Sequence, residues 1–371
     1  QAAKFLTPLL VIAFLFFSRK NFVFKKNNAL RKFFLIFGGF FVLFNLFTLF
    51  SGKGGRIKVM SLLSYPRSPS ETTIIQNQDN RNDVVFNLFH SSPVFFLRSF
   101  LGRYFNHFSG KFLFISGDWS NQRNGVLYQG QMYYLDLVFL LLGLGCLFVK
   151  KRNSLDNLML FWLFLAPIPA ALTRDSISSV RSFTMVIPLI YLTAVGISGV
   201  FKRFGRLSLF ARYTFYILHF TFYIILFIRF LDLYFVHDPK YTAENRLFGY
   251  KQIIEFIKPM VKNRNKIIFS DIYGQPYIFY LFYSKYDPVV YQKKAKLTEN
   301  PYGDVGRVES LDNIEFRKIY FPDDRSNKNS LLIGDEFDLP LKDIVGQENI
   351  TFLKEVKYPN SKTAFRIVET K

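Results

Sequence analysis

The stretch from Leu155 to Phe201 most strongly limits what this chain can fold into. Two apolar segments, residues 155–173 and 183–201, are separated only by a short polar hook, residues 174–182. Ionisable side chains are expensive to bury in hydrocarbon, so the two arginines and the aspartate of the hook are expected at a membrane surface. The pattern predicts two membrane helices joined by a charged corner that faces something polar.

Four more apolar segments approach the roughly 20 residues that a helix needs to cross a bilayer. Short loops at 18–32, 150–154 and 202–212 are basic and contain no acidic residue, which is typical of cytoplasmic loops. The loop 51–132, the hook and the tail 236–371 are therefore predicted to be extracytoplasmic in a multi-pass protein of the cell membrane. The transmembrane domain, residues 1–235, is predicted to contain about six helices, at 4–17, 33–50, 133–149, 155–173, 183–201 and 213–235.

A helix is also predicted inside the long loop. Pro93 suits an early helical position, and apolar residues from Phe95 to Phe108 recur at near-helical spacing with Arg98 and Arg103 between them. Such a segment can lie along the membrane surface with its apolar face down. An ordinary packed loop helix fits the pattern equally well.

The tail has a different pattern. Residues 241–262 have helical periodicity, and residues 266–270 form the first of several short runs typical of strands. The predicted fold class is mainly α, a polytopic transmembrane helical domain followed by a small extracytoplasmic α/β domain over residues 236–371. The further predicted strands are 314–320, 330–334, 350–357 and 363–369.

A tyrosine-rich segment of the tail, from Tyr273 to Tyr283, allows two interpretations. The rings can form a platform for a sugar, or they can fill a small core with their hydroxyls at its rim, and the second arrangement is the more frequent one.

The net charge of +21 raises the question of a nucleic-acid partner. Residues 1–235 hold 26 of the 48 lysines and arginines but only 8 of the 27 acidic residues. The basic excess therefore belongs to the membrane half, where short cytoplasmic loops collect it. No nucleic-acid partner is expected.

Two sets of residues carry a resemblance to a known family. The first runs from Pro167 to Asp175 (PIPAALTRD) and continues with Arg181, Ser182 and Pro188. The second runs from Phe105 to Ser109 (FNHFS) and continues with Gly117, Asp118, Gly130, Tyr133 and Tyr134. Over roughly the middle third of the chain, these residues resemble bacterial members of the polytopic GT-C glycosyltransferases, the group of protein mannosyltransferases and aminoarabinose transferases.

The resemblance implies a polyprenyl-phosphate-linked sugar as donor and a protein, lipid or glycan as acceptor. Arg174 and Arg181 become the candidate phosphate clamp, because guanidinium groups match phosphate oxygens with paired donors. Asp175 would orient one arginine or bind a sugar hydroxyl. The alternative is that these residues are interfacial anchors paired with one another.

The long loop supplies three more candidate binding residues. His107 and Asp118 are candidates for contact with the sugar or the acceptor, and Arg123 for help with phosphate. Asp118 follows a glycine, so the alternative is a turn in which its carboxylate bonds its own backbone.

No cofactor is evident. The four histidines form no His-x-x-x-His pair and Cys-x-x-Cys is missing, so no metal site is predicted, while a need for a divalent metal stays open.

The resemblance implies an inverting GT-C glycosyltransferase acting on the extracytoplasmic membrane face. In that family the catalytic base is an Asp or Glu of the first outer loop, which the resemblance places upstream of Gln1. Because the family starts in the cytoplasm and Gln1 is predicted outside, an odd number of spans is expected upstream of Gln1. The chain alone is therefore expected to be inactive. The alternative is a non-enzymatic membrane protein, either a transporter subunit or a membrane-anchored ligand-binding protein.

Overall fold

The computed structural model describes residues 2–18, 28–50, 60–80, 82–205, 208–295, 297–298 and 307–371. The chain divides into two compact units, residues 1–233 and residues 234–371. The first unit is helical and the second is a mixed α/β domain. The predicted order, a mainly helical region followed by a small α/β domain, is confirmed.

The helical unit begins with two apolar helices and contains further helices on either side of the hook. Three-residue 3-10 turns lie at Leu62–Ser64, Gln122–Asn124 and Phe183–Met185, and a π-helical turn lies at Lys111–Ile115. The helices are α1 Ala2–Ser18, α2 Asn28–Phe50, α3 Pro69–Gln78, α4 Asp83–Phe89, α5 Ser92–Asn106, α6 Tyr134–Val149, α7 Ser154–Leu165, α8 Ile168–Ala171, α9 Val186–Phe204 and α10 Leu209–Asp232.

Four stretches of the described chain are long and apolar enough to cross a membrane, which indicates a multi-pass membrane protein. Three of them contain most of a predicted span, and the shorter apolar helices Lys4–Phe17 and Tyr134–Val149 correspond to two more. The predicted span 33–50 lies within α2. The four long stretches are Asp83–Ile115, Ser154–Ala171, Phe183–Phe204 and Leu209–Tyr241.

The stretch Asp83–Ile115 differs from the sequence expectation. The alternation of crossings through the basic loops places it in the extracytoplasmic loop, whereas its length and mean hydropathy also suit a membrane span. In the structure, α4 and α5 follow one another here with a break at His90 and Ser91. The predicted helix beginning near Pro93 is confirmed as α5.

The first basic loop, with Arg19, Lys20, Lys25 and Lys26, lies largely outside the described residues, as does Arg206.

Helices α6 and α9 approach each other closely through two glycines. A Cβ placed on Gly143 would lie 2.0 Å from the carbonyl oxygen of Leu192, and one on Gly196 would lie 2.0 Å from that of Phe139. Such contact is possible only without a side chain, and it is a common way for membrane helices to pack. The glycine pair thus fixes the distance between the helix that follows the long loop and the helix that follows the hook.

The second unit is built on a six-stranded sheet in the order β4-β5-β1-β6-β8-β7. Strands β5, β1 and β6 are parallel, while β4, β7 and β8 pair antiparallel with their neighbours. The strands are β1 Lys266–Phe269, β2 Leu297–Thr298, β3 Arg307–Val308, β4 Ser310–Leu311, β5 Ile314–Phe316, β6 Ser330–Gly334, β7 Ile350–Lys357 and β8 Thr363–Thr370. The helices are α11 Asp238–Tyr241, α12 Tyr250–Ile257, α13 Pro276–Ser284, α14 Pro288–Lys294, α15 Phe321–Asp324 and α16 Leu341–Ile344.

The predicted strands are confirmed, although the one beginning at 314 ends at Phe316. The predicted helix 241–262 is wrong in extent, because α12 covers only Tyr250–Ile257. Leu247 (φ 59°) and Gly249 (φ 106°) are left-handed and prevent an earlier start. Tyr277 and Tyr280 are buried in the core, which supports the interpretation that these rings fill it.

Candidate functional site

The start of the hook is fixed by a segment that precedes α3. The backbone N–H of Leu62 donates to the carbonyl of Leu172 at 2.9 Å, and the N–H of Arg174 donates to the carbonyl of Met60 at 2.9 Å. Ser61 and Thr173 form an antiparallel bridge between these bonds. The two chain segments therefore form a short ladder from which the hook leaves the apolar helices.

Asp118 attaches the middle of the hook to the long loop. Its side chain is buried, and its Oδ2 accepts the backbone N–H of Ser179 at 2.9 Å and the Ser179 hydroxyl at 3.2 Å. Its Oδ1 accepts the hydroxyl of Ser120 and the N–H of Asn121, both at 3.0 Å. Gly117, left-handed at φ 59°, makes the turn that presents the carboxylate. The Asp118 carboxylate thus bonds backbone N–H groups of its own turn and of the hook. Contact with a sugar remains a prediction.

His107 provides a second buried attachment. Its Nδ1 lies 2.8 Å from the carbonyl oxygen of Arg103, and its Nε2 accepts the backbone N–H of Ser178 at 3.3 Å. These bonds define a neutral ring with the proton on Nδ1. Two side chains of the long loop thus hold consecutive residues of the hook, and neither is free to move into an open site.

The charged residues of the hook form one connected group. Arg181 makes an ion pair with Asp175 and donates to the hydroxyl of Thr173 at 3.1 Å. The Nε of Arg174 lies 3.7 Å from the other carboxylate oxygen of Asp175. The side chains of Arg174, Asp175 and Arg181 remain 41%, 35% and 26% exposed, so solvent or a ligand can reach them. The structure therefore brings these three predicted residues together. They are paired with one another and are also accessible.

Two residues outside the predicted site, Tyr65 and Arg103, complete the group. Tyr65 accepts a hydrogen bond from Arg174 at 3.1 Å, and its ring lies 5.9 Å from the guanidinium carbon. Arg103 donates to the carbonyl oxygen of Arg174 at 3.2 Å. Arg103 stands one helical turn before His107, and this spacing was the available signal. The hook and its surroundings thus carry three guanidinium groups and two carboxylates, those of Asp175 and Asp118, which leaves a surplus of positive charge suited to an anion.

Arg123 occupies a different position. It lies in the turn Gln122–Asn124, is exposed, and its backbone N–H donates to Asn121 Oδ1 at 3.2 Å. Its turn is joined to the hook indirectly, since the Ser179 hydroxyl lies 3.1 Å from the carbonyl oxygen of Asn124. Arg123 is therefore at the rim of the attached loop, and its role with phosphate stays a prediction.

A second polar group lies in the α/β unit at the carboxyl ends of the parallel strands. Asp271 follows β1 and makes an ion pair with Arg307. Asp335 follows β6, and its Oδ1 accepts the N–H groups of Phe337 and Asp338 at 2.9 Å. Burial raises the pKa of the Asp338 carboxyl, and the neighbouring charges of Asp335 and Asp271 add to this effect. This edge of a parallel sheet is where α/β proteins commonly bind ligands.

Metal binding has no visible support in the described ranges. Among those residues, no group of three or more histidine, cysteine, aspartate or glutamate side chains is placed to hold an ion. The carboxylates of Asp118 and Asp175 are instead engaged by hydrogen-bond donors and by arginines.

Comparison of the chain with protein-family models, with curated proteins and with solved structures gave no match. The relation to GT-C glycosyltransferases therefore rests on the motif residues of the long loop and the hook, and it stays a prediction.

Proposed function

We propose that the hook binds the phosphate of a polyprenyl-phosphate-linked sugar, and that the protein takes part in transferring this sugar to a protein, lipid or glycan acceptor at the extracytoplasmic face of the cell membrane. The observation that carries the proposal is the arrangement of Arg174, Asp175 and Arg181. Two accessible guanidinium groups share one carboxylate on a backbone held by buried side chains. The motif resemblance gives the same residues the same role.

The charge balance supports phosphate as the ligand. Arg103, Arg174 and Arg181 outnumber the carboxylates of Asp175 and Asp118, so the group keeps a net positive charge that an anion can balance. Guanidinium groups hold phosphate oxygens in bidentate geometry, with hydrogen bonds stronger than those between neutral groups. When the glycosidic bond breaks, the electron pair stays on the phosphate oxygen of the leaving lipid. Positive groups fixed at that oxygen stabilise the charge as it develops.

The position of the hook supports a lipid-linked ligand. Residues 154–171 and 183–204, on its two sides, are long and apolar enough to cross a membrane. A charged corner between two spans lies at the level of lipid head groups. A phosphate attached to a polyprenyl chain reaches the same level while its chain remains in the bilayer.

The test is binding of a polyprenyl phosphate to the full chain in lipid nanodiscs, because binding is measured without turnover. We expect Arg181→Ala to weaken binding by about tenfold to a hundredfold, the range expected for a lost charge-assisted contact. Arg181→Lys retains the charge but not the planar pair of donors, and we expect an intermediate loss. The matched control is Arg98→Ala, an exposed arginine on α5. Equal affinity of Arg181→Ala and the unchanged protein would refute the proposal.

A second candidate function is favoured by the carboxyl edge of the sheet. A membrane-anchored ligand-binding protein would use the pair Asp271–Arg307 and the neighbouring Asp335 to bind a polar ligand such as a glycan. This function predicts that Arg307→Ala abolishes binding of oligosaccharides in a titration of the full chain, while Arg181→Ala leaves it unchanged. The opposite pattern would favour the hook.

A further inference from the structure

A cavity of about 440 Å³ lies in the helical unit between the start of α6 and the helices α9 and α10. Aliphatic side chains of α9, including Ile190 and Ile197, form part of its lining. Asp136, Tyr223 and Gln129 supply polar groups. The lining is therefore amphipathic, with one ionisable side chain among apolar ones.

Asp136 is engaged only by neutral donors among the residues that the structure describes. Its Oδ2 accepts the backbone N–H of Tyr133 at 2.8 Å, and its Oδ1 accepts the hydroxyl of Tyr223 at 2.6 Å. Among the described residues no lysine, arginine or histidine forms an ion pair with Asp136. The His219 ring packs on Tyr223, with 5.0 Å between the ring centroids, and interacts electrostatically with Asp136 without contacting it. An ionisable residue in an apolar helix bundle ordinarily has a charged partner or a function. A carboxylate on a cavity wall with no cation of its own favours a cationic ligand.

Asp156 makes the same two kinds of hydrogen bond as Asp136 but has no cavity beside it. It lies in the first turn of α7, accepts the N–H of Asn153 at 2.8 Å and accepts the hydroxyl of Tyr191 at 2.6 Å. It is 2% exposed and does not line the cavity. Stabilisation of a helix start accounts fully for Asp156. Stabilisation of a helix start does not explain why Asp136 also lines a cavity.

The cavity lies where lipid head groups are expected. Asp136 is in the first turn of an apolar helix and follows Tyr133 and Tyr134, and tyrosines are enriched at the membrane surface. Near the end of α10, Arg229 donates to Gln129 Oε1 at 3.1 Å and to the carbonyl of Tyr128 at 3.2 Å. A guanidinium therefore contacts a residue of the lining, so both a negative and a positive group lie at this level.

We propose that this cavity binds a phospholipid whose head group carries a primary ammonium. The ammonium bonds to the carboxylate of Asp136, the phosphate lies towards Arg229, and an acyl chain runs along the aliphatic side chains of α9. A zwitterionic lipid matches this pair of opposite charges, whereas an anionic lipid would place an unpaired negative charge beside Asp136. This site is independent of glycosyl transfer at the hook.

The test is native mass spectrometry of the full chain in detergent, titrated separately with dioleoyl-phosphatidylethanolamine, dioleoyl-phosphatidylcholine and dioleoyl-phosphatidylglycerol. We expect the ethanolamine lipid to bind about tenfold more tightly than the other two, because only its head group donates charged N–H bonds to a carboxylate. Asp136→Asn removes the charge and should bring the three affinities together. The matched control, Asp156→Asn, should keep the preference.

Ala194→Phe gives a second variant that leaves the Asp136 network intact. Ala194 lines the cavity, and a phenyl ring there should reduce binding of all three lipids at this site. If Asp136→Asn does not fold, the lipid preference of the unchanged protein and the effect of Ala194→Phe on lipid binding test the proposal instead. Equal affinities for the three lipids, or a preference retained in Asp136→Asn, would overturn the proposal. Displacement of the lipid by free ethanolamine at equal concentration would also overturn it, since it would show a site for soluble amines.

Discussion

The carboxylate of Asp118 accepts both the backbone N–H and the hydroxyl of Ser179, at 2.9 Å and 3.2 Å, across 61 positions of sequence. This contact joins the long loop to the hook at the residue next to Ser178, which is held by His107. The charged residues Asp175 and Arg181 lie on either side of this attachment. Their geometry therefore depends on a buried acid that need not touch a ligand.

Replacing Asp118 by asparagine should weaken this attachment. Asparagine retains one acceptor but loses the charge that strengthens several hydrogen bonds at once, so we expect a loss of about 2–3 kcal/mol in the free energy of unfolding. Trp119 is adjacent and both tryptophans lie in the helical unit, so tryptophan fluorescence during denaturation reports on it. Asp83→Asn, an exposed change in the first turn of α4, is the control and should lose less than about 1 kcal/mol. Equal losses would contradict the assigned role of Asp118.

Replacing Gly143 by alanine should separate α6 from α9. The new Cβ would meet the Leu192 carbonyl oxygen at 2.0 Å, a backbone atom that a rotamer change cannot move away. We expect a destabilisation of about 1–3 kcal/mol, as for other overpacked sites. The control is Gly145→Ala in the same helix, where nothing lies within 4 Å of the added carbon. That change should be neutral or stabilising by up to about 1 kcal/mol. Unfolding in mixed detergent micelles would show whether the two substitutions differ in sign.

Asp338 should make the α/β unit less stable as pH rises. Burial raises the pKa of its carboxyl in the folded state, so the folded state holds a proton that the unfolded state has released. The resulting stability is fully present below the unfolded pKa, and it is lost as pH rises through the folded pKa. Asp338→Asn should therefore gain stability relative to the unchanged protein over that interval, measured by pulse proteolysis of residues 234–371.

Asp324 provides the control of opposite sign for this experiment. Arg317 bonds both carboxylate oxygens, at 2.6 Å and 3.0 Å. Burial opposes the effect, but the bonds from Arg317 and from the Tyr320 N–H prevail and lower the pKa of Asp324. Its stability is present above the unfolded pKa and is lost as pH falls through the folded pKa. Asp324→Asn should cost about 2–4 kcal/mol at neutral pH, and the difference should shrink in acid. Parallel pH profiles for the two variants would contradict at least one of the two assignments.

Much of the fold follows from local pattern. Apolar length alone identifies the helices on both sides of the hook. Short runs of apolar and β-branched residues identify β1, β6, β7 and β8. The helical periodicity predicts too early a start for α12 because Leu247 is left-handed, a conformation that is uncommon for a leucine and has no signature in the sequence.

The site was predicted only in part, for a related reason. The grouping of Arg174, Asp175 and Arg181 follows from their proximity in sequence. The attachments through His107 and Asp118 span 71 and 61 positions, so only the folded chain reveals what these side chains hold. The cavity beside Asp136 needs three helices to form and has no sequence pattern of its own. The sequence does mark Asp136 as an ionisable residue in an apolar segment, and this is the signal that could have led to it.

The attachment of the hook has a consequence for how tightly it can bind. A flexible loop that orders on contact with its ligand loses conformational freedom, at about 0.5–1.5 kcal/mol for each immobilised side chain. Here the backbone at Ser178 and Ser179 is already held by His107 and Asp118, and Arg181 is already oriented by Asp175 and Thr173. The hook is preorganised, so most of the attraction between its guanidinium groups and an anion is retained as affinity.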